Sequence, residues 1–130
     1  MTREEQIRYW LDSADIDYTA MQHLMDAGDY SWALFTGHLV IEKLLKAWFV
    51  KQCDEPVPVI HNLLRIAEKS SLPLDQSRKE QLLLITSFNI SARYPDYKLD
   101  FYRKCDREYT GRNIALIKEL RSWLLSMISG

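Results

Sequence analysis

The sequence has few of the residues that break helices or cross-link chains. Its 130 residues include only four Gly, four Pro and two Cys, against 47% apolar residues. This composition excludes a largely disordered chain and predicts order except at the two termini. Cys53 and Cys105 belong to no C-x-x-C or Cys/His pattern, which argues against a zinc site and a disulfide framework and favours a reducing cytoplasm.

Several sequence patterns are also missing. No uninterrupted apolar run reaches the roughly 18 residues of a membrane span, and the N-terminus is polar, so we expect a soluble protein with no membrane association. No window alternates with the period of a strand. Neither phosphate-binding glycine loop, G-x-x-x-x-G-K-[ST] or G-x-G-x-x-G, is present, nor is a G-x-S-x-G nucleophile elbow.

Apolar residues recur instead at steps of three and four, which predicts helices. Gly28 ends the first helix, Asp29 or Ser31 caps the second, Asp75 caps the fourth, and Pro95 stops it. The predicted helices span residues 3 to 27, 30 to 53, 61 to 70, 76 to 93 and 107 to 127, with an irregular aromatic-rich loop at 94 to 106. We expect one domain over residues 1–130, an all-α, up-and-down bundle of four long helices plus one short helix.

The second helix is apolar almost all round but carries one polar line. His38, Glu42 and Lys46 are spaced i, i+4 and i+8, so they stack along one helical face. Glu42 and Lys46 form a favourable Glu-before-Lys pair, and His38 is typical of a buried histidine bonded to a neighbour. His38 and Glu42 have no identifiable third ligand, so the sequence predicts no metal and no cofactor.

A second cluster, Ala92-Arg93-Tyr94-Pro95-Asp96-Tyr97, follows the fourth helix. Arg93 complements the dipole at a helix C-terminus, or pairs with a carboxylate such as Asp96 or Glu42. Its planar fork also suits phosphate, and the adjacent tyrosines offer stacking surfaces. These alternatives stay open on the sequence alone.

Charge is distributed unevenly, although the net charge is only −1. Residues 1 to 30 carry two basic and seven acidic side chains, a net −5, whereas residues 93 to 112 carry six basic and four acidic ones, a net +2. A basic segment could serve a phosphate-bearing ligand or an acidic partner surface, but an ordinary solvated surface is the more common explanation of such asymmetry.

The order of the motifs resembles one family, the HEPN domains. The resemblance covers nearly the whole chain and rests on three motifs: Gly28-x-Tyr30-x-x-Ala33-x-Phe35-x-x-His38-x-x-x-Glu42-Lys43-x-x-Lys46-Ala47, then Pro58-x-x-His61-x-Leu63, then Ala92-Arg93-Tyr94-Pro95-Asp96. It implies a bundle of four to five helices, commonly a homodimer. It also implies a minimal nucleotidyltransferase partner in a two-component, toxin–antitoxin-like system.

This sequence departs from the family's ribonuclease branch. That branch uses an R-x(4 to 6)-H motif, but the matching positions after Arg93 are Lys98, Leu99 and Asp100, and no His follows His61. The nuclease role is therefore not carried over. The positions that match recurring polar residues, or lie in the late motif, are the predicted ligand-binding residues: His38, Glu42, Lys43, Lys46, His61, Arg93, Tyr94 and Asp96.

Three functions remain open. The leading hypothesis is a non-catalytic nucleotide- or nucleic-acid-binding module, with Arg93, Lys43 and Lys46 contacting phosphate and Tyr94 or Tyr97 stacking. The second is a divergent metal-independent RNase that uses His61 or His38 together with Arg93. The third is a dimerisation or scaffold domain in which the polar line is a buried hydrogen-bond network.

Overall fold

The computed structural model describes residues 1–130 and contains six α-helices and no strand. The predicted all-α fold class is confirmed, with six helices instead of five. Their bounds are α1 Arg3–Ala27, α2 Tyr30–Gln52, α3 Leu63–Lys69, α4 Gln76–Arg93, α5 Pro95–Lys104 and α6 Arg107–Ser129. None of them is both long and apolar enough to cross a bilayer.

Capping residues define both ends of α1. Thr2 and Glu5 form a reciprocal capping box at its start, which satisfies amide groups that have no partner inside the helix. Gly28 ends it in the left-handed region at φ 81°, and its N–H bonds to the carbonyls of the last turn. This predicted end is confirmed, and the short turn places α1 and α2 side by side.

Helix α2 lies at the centre of the fold. Sixteen of its 23 residues are buried, and it packs against α1, α6, α4, α3 and α5. Gly37 permits the close approach of α1 and α6, because an added Cβ would lie 2.5 Å from Ile117 Cδ1 and 3.2 Å from Met21 Sδ. The apolar sequence of α2 is thus explained by neighbours on nearly every side.

The predicted loop at 94 to 106 is wrong, because most of that segment is helix α5. Pro95 does end α4, as expected. Tyr94, at φ −80° and ψ 133°, then serves both as the last cap of α4 and as the N-cap of α5. Pro95 occupies the first helical position, where its missing N–H and fixed φ suit a helix start.

The short helix α3 begins two residues later than expected. Asn62 caps it by accepting a hydrogen bond from Arg65 N, at 3.1 Å. Asp75 caps α4 in the same way, as predicted, at 2.8 Å from Arg78 N. The late start leaves His61 in the loop before α3, where its backbone and ring both face α2.

Candidate functional site

The polar line of α2 is buried. His38, Glu42 and Lys46 are each less than one-tenth exposed. Lys46 Nζ donates to Glu42 Oε2 at 3.1 Å and lies 5.4 Å from the ring centroid of Trp10 on α1. This ion pair is therefore largely shielded from water. Removing one partner would leave a buried charge without compensation.

His61 connects the loop before α3 to the polar line. Its Nδ1 donates to Glu42 Oε1 at 2.9 Å, and its backbone carbonyl accepts from His38 Nε2 at 3.1 Å. Glu42 is thus bound through both carboxylate oxygens. The His61 side chain itself is 61% exposed, so one edge of its ring faces solvent.

His38 is held in its neutral form. Because Nε2 donates to a carbonyl, Nδ1 carries no proton, and that buried atom has no hydrogen-bond partner. Burial lowers the pKa of His38 below its usual value of 6.5, and the nearby charges of His61 and Arg93 act in the same direction. The hydrogen bond to the carbonyl of His61 and the negative charge of Glu42 raise the pKa of His38, but by less than burial lowers it.

Arg93 lies at the last residue of α4 and is exposed. Its Nε donates to Asn89 O at 3.1 Å, and its guanidinium carbon lies 5.5 Å from the Phe35 ring centroid and 5.7 Å from that of Tyr94. It forms no ion pair, so the alternative in which it pairs with Asp96 or Glu42 does not hold. Both terminal guanidinium nitrogens have no protein partner, which leaves a fixed fork open to an anion.

The remaining predicted residues occupy different environments. Lys43 faces α1, where its Nζ lies 2.6 Å from Asp17 Oδ2. Tyr94 is exposed beside Arg93, and Asp96 is exposed in the first turn of α5. The structure thus gathers His38, Glu42, Lys46 and His61 into one network close to Arg93, but places Lys43 elsewhere. A ligand for these residues stays a prediction.

Sequence reasoning missed several side chains near Arg93. Phe35 supports the guanidinium, and Trp32 meets Phe35 edge to face, with ring centroids 5.7 Å apart. Lys98 Nζ lies 5.4 Å from the Trp32 ring. The missed signal was the i, i+4 spacing of Lys98 and Tyr102, which places both on one face once the segment is read as a helix.

No group of three or more His, Cys, Asp or Glu side chains is arranged to hold a metal ion. In the polar network, the carboxylate that a metal would use is already bound by Lys46 and His61. What the arrangement offers chemically is an aromatic-supported guanidinium and, separately, an exposed imidazole with one nitrogen fixed by a carboxylate.

Comparison with known proteins places this geometry in a family. The search of curated proteins finds no match. Among solved structures, the crystal structure of TT1696 from Thermus thermophilus is similar, with a TM-score of 0.79 and 20% identity over 93% of this chain and 97% of that one, which shows a shared fold. The HEPN domain profile matches residues 7–127, a span that contains the polar line, His61 and Arg93, and the chain therefore belongs to the HEPN domain family.

Proposed function

We propose that this protein is a non-catalytic nucleotide- or nucleic-acid-binding module that works with a minimal nucleotidyltransferase partner. One observation carries the proposal: Arg93 is exposed and stacked on two rings, and no carboxylate occupies its terminal nitrogens. Such a guanidinium can donate two parallel hydrogen bonds to the oxygens of a phosphate. An arginine that forms an ion pair within the fold, by contrast, has its fork filled by a carboxylate.

Arg78 shows what a filled fork looks like in the same molecule. It stacks over Trp123, with its guanidinium carbon 4.3 Å from the ring, and both terminal nitrogens bond the Glu119 carboxylate, one of them at 2.9 Å. Arg78 and Arg93 thus share an aromatic support but differ in whether an anion is already present.

Binding is proposed to be led by phosphate, because the available groups are cationic and no base-reading pocket adjoins the Arg93 fork itself. Lys46 contributes by scaffolding in this proposal, since its charge is matched by Glu42. We expect affinity for ATP, GTP and short RNA to fall steeply as salt is raised. An affinity that does not change with salt concentration argues against phosphate contacts.

Arg93→Lys tests the proposal. The change keeps the charge and loses the fork, so we expect ligand binding to weaken by about 1–3 kcal/mol with little change in melting temperature. Arg78→Lys is the matched control and leaves affinity unchanged. Calorimetric titration and thermal melting measure both properties. A fall of several degrees in melting temperature with unaltered affinity for Arg93→Lys means that Arg93 is structural.

A second candidate function is a divergent metal-independent RNase, favoured by the contact between His61 and Glu42. A carboxylate on Nδ1 fixes the tautomer in which Nε2 accepts a proton, as a general base requires. Incubating a labelled RNA with wild-type protein and with His61→Ala, both in a chelator, separates the candidates. Cleavage by the wild type alone favours the RNase, and no cleavage by either favours the binding module.

The partners are also part of the proposal. Exposed aliphatic side chains on α4, among them Leu83, Leu84 and Ile90, support a homodimer. Sedimentation at micromolar concentration should give twice the 15.4 kDa chain mass. A nucleotidyltransferase gene directly beside this one supports the two-component system, and its absence removes the main support for that partner.

A further inference from the structure

Two adjacent hollows lie between the start of α2 and helix α5. The first has a volume of about 390 Å³ and is lined by Ser31, Trp32, Pro95, Lys98, Leu99 and Tyr102. The second, of about 380 Å³, shares Ser31 and Tyr102 with the first and continues toward the start of α6. Each has the volume of a small-molecule site, and because they share two lining residues we refer to the adjacent pair as the groove.

Aromatic rings line the first hollow and are open to solvent. Trp32 is 40% exposed and Tyr102 is 65% exposed. Trp32 is held in place by its edge-to-face contact with Phe35 on the same helix. Large rings that are fixed in position but accessible are what a nucleobase needs for stacking, and stacking tolerates any base.

The charged side chains of the groove are mainly basic and lack acidic partners. Lys98 lies in the first hollow, Arg103 and Arg107 line the second, and none of the three forms an ion pair. The one acidic side chain in the lining, Asp106, is occupied as the N-cap of α6, where it accepts from Tyr109 N at 2.7 Å. With three basic side chains and one carboxylate, the lining carries an excess of positive charge.

The groove also joins the proposed phosphate site. Phe35 contacts Trp32 edge to face, and its ring centroid also lies 5.5 Å from the Arg93 guanidinium carbon. Lys98, in turn, lies over Trp32. Two rings, Phe35 and Trp32, thus lie between the cations Arg93 and Lys98, so stacking surfaces and phosphate-binding groups adjoin one another from Arg93 into the first hollow.

We propose that this groove, lined by Trp32, Tyr102, Lys98, Arg103 and Arg107, binds a single-stranded polynucleotide that extends from Arg93. The proposal rests on the proposed function and deepens it, because it names the polymer and its path. A base stacks in the first hollow while the basic side chains contact the backbone. A duplex fits poorly, because its bases are already stacked inside the helix.

A second copy of this chain fits the groove less well than a polynucleotide. An isologous contact centred here brings Lys98, Arg103 and Arg107 of one copy close to the same residues of the other. Like charges in such an interface are unfavourable, whereas phosphates neutralise them.

Fluorescence anisotropy with labelled 12-nucleotide probes tests the proposal. The probes are oligo(U) RNA, oligo(dT) DNA and an oligo(A)·oligo(U) duplex. We expect at least one single strand to bind more tightly than the duplex, and the RNA and DNA arms then identify the sugar. Trp32→Leu should weaken that binding about tenfold or more, because it removes the stacking surface but keeps apolar volume. Tyr9→Leu, which alters an exposed ring on α1, is the control and leaves affinity unchanged.

The basic side chains are tested by the double variant Lys98→Gln/Arg103→Gln. Losing two backbone contacts should lower the slope of log affinity against log salt by about 1.4. Lys69→Gln/Lys118→Gln changes the net charge equally at exposed positions outside the groove and should keep the wild-type slope. An oligo(U) with one 4-thiouridine should cross-link on irradiation to Trp32 or Tyr102.

Three results would contradict the proposal that the groove binds a polynucleotide. One is a normal affinity and salt slope in the groove variants while Arg93→Lys alone loses binding, which leaves the proposed function standing. Another is a change from dimer to monomer in Trp32→Leu, which identifies the groove as a protein interface. Binding of a labelled 12-residue polyglutamate that depends on Trp32 and is as tight as oligonucleotide binding leads to the same conclusion. The third is no binding of any probe or mononucleotide, which removes both proposals.

Discussion

The cationic side chains on the two sides of helix α2 differ in whether a carboxylate pairs with them. Toward α1, Lys46 is buried against Glu42, and Lys43 is paired with Asp17. Toward α5, Arg93 and Lys98 lie over aromatic rings of α2 and have no carboxylate partner. The comparison separates charges that hold the bundle together from charges that remain available to a ligand, although the two kinds are only a few turns apart.

The largest expected loss of stability comes from removing the Glu42 carboxylate, on the side where the charges are paired. Glu42→Ala leaves Lys46 buried without its counter-charge and removes the acceptor of His61, so we expect the free energy of unfolding to fall by about 3 kcal/mol. Lys43→Ala, one residue along the helix, breaks a more accessible pair and should cost less than about 1 kcal/mol. Urea denaturation measures both, and equal losses contradict this account of the buried pair.

The next effect concerns packing at the same side. Gly37→Leu forces a side chain into the space held by Ile117 and Met21, and we expect a loss of about 1–3 kcal/mol. Gly111→Ala is the opposite case, since the nearest atom to its new Cβ is Met25 Cε at 4.0 Å. Helix propensity should then stabilise the protein by up to about 1 kcal/mol. A neutral Gly37→Leu means that α6 does not pack closely here.

A smaller effect should appear with pH. The folded-state pKa of His38 lies below its usual 6.5, so the unfolded chain takes up a proton first as pH falls. Stability is fully present above about pH 6.5 and decreases below it, by at most about 1.4 kcal/mol per pH unit for this one proton. His38→Gln should lessen this pH dependence. Identical pH profiles for wild type and variant exclude His38 as the source.

The smallest effect on stability is expected on the unpaired side. Lys98→Gln removes a charge that is exposed and has no carboxylate partner, so the free energy of unfolding should change by no more than about 0.5 kcal/mol. Denaturation under the conditions used for Glu42→Ala gives a direct comparison. A loss above about 1 kcal/mol means that Lys98 stabilises the fold through Trp32, and the contrast between the two sides then disappears.

Local rules predicted much of the fold. Gly28 and Asp75 were placed correctly at a helix end and a helix start, because the left-handed backbone and the side-chain cap depend on nearby residues only. Pro95 was read correctly as the end of α4 but not as the start of α5. A proline carries both signals, and local sequence does not state whether the chain continues as a helix.

The candidate site was predicted in part. Spacing placed His38, Glu42 and Lys46 on one face, but burial by α1 and by the loop before α3 made that face a closed network. The contacts of Lys43 with α1 and of Arg93 with Phe35 join residues far apart in the chain. No spacing rule describes such contacts.

The sequence by itself determined the all-α class, the order of the four long helices, the polar line and the HEPN resemblance. These follow from helical periodicity, caps and motif order, which act over a few residues. Only the tertiary structure decided which charges are matched. Whether a carboxylate reaches an arginine or a lysine depends on the packing of separate helices, and that packing filled the fork of Arg78 and left that of Arg93 open.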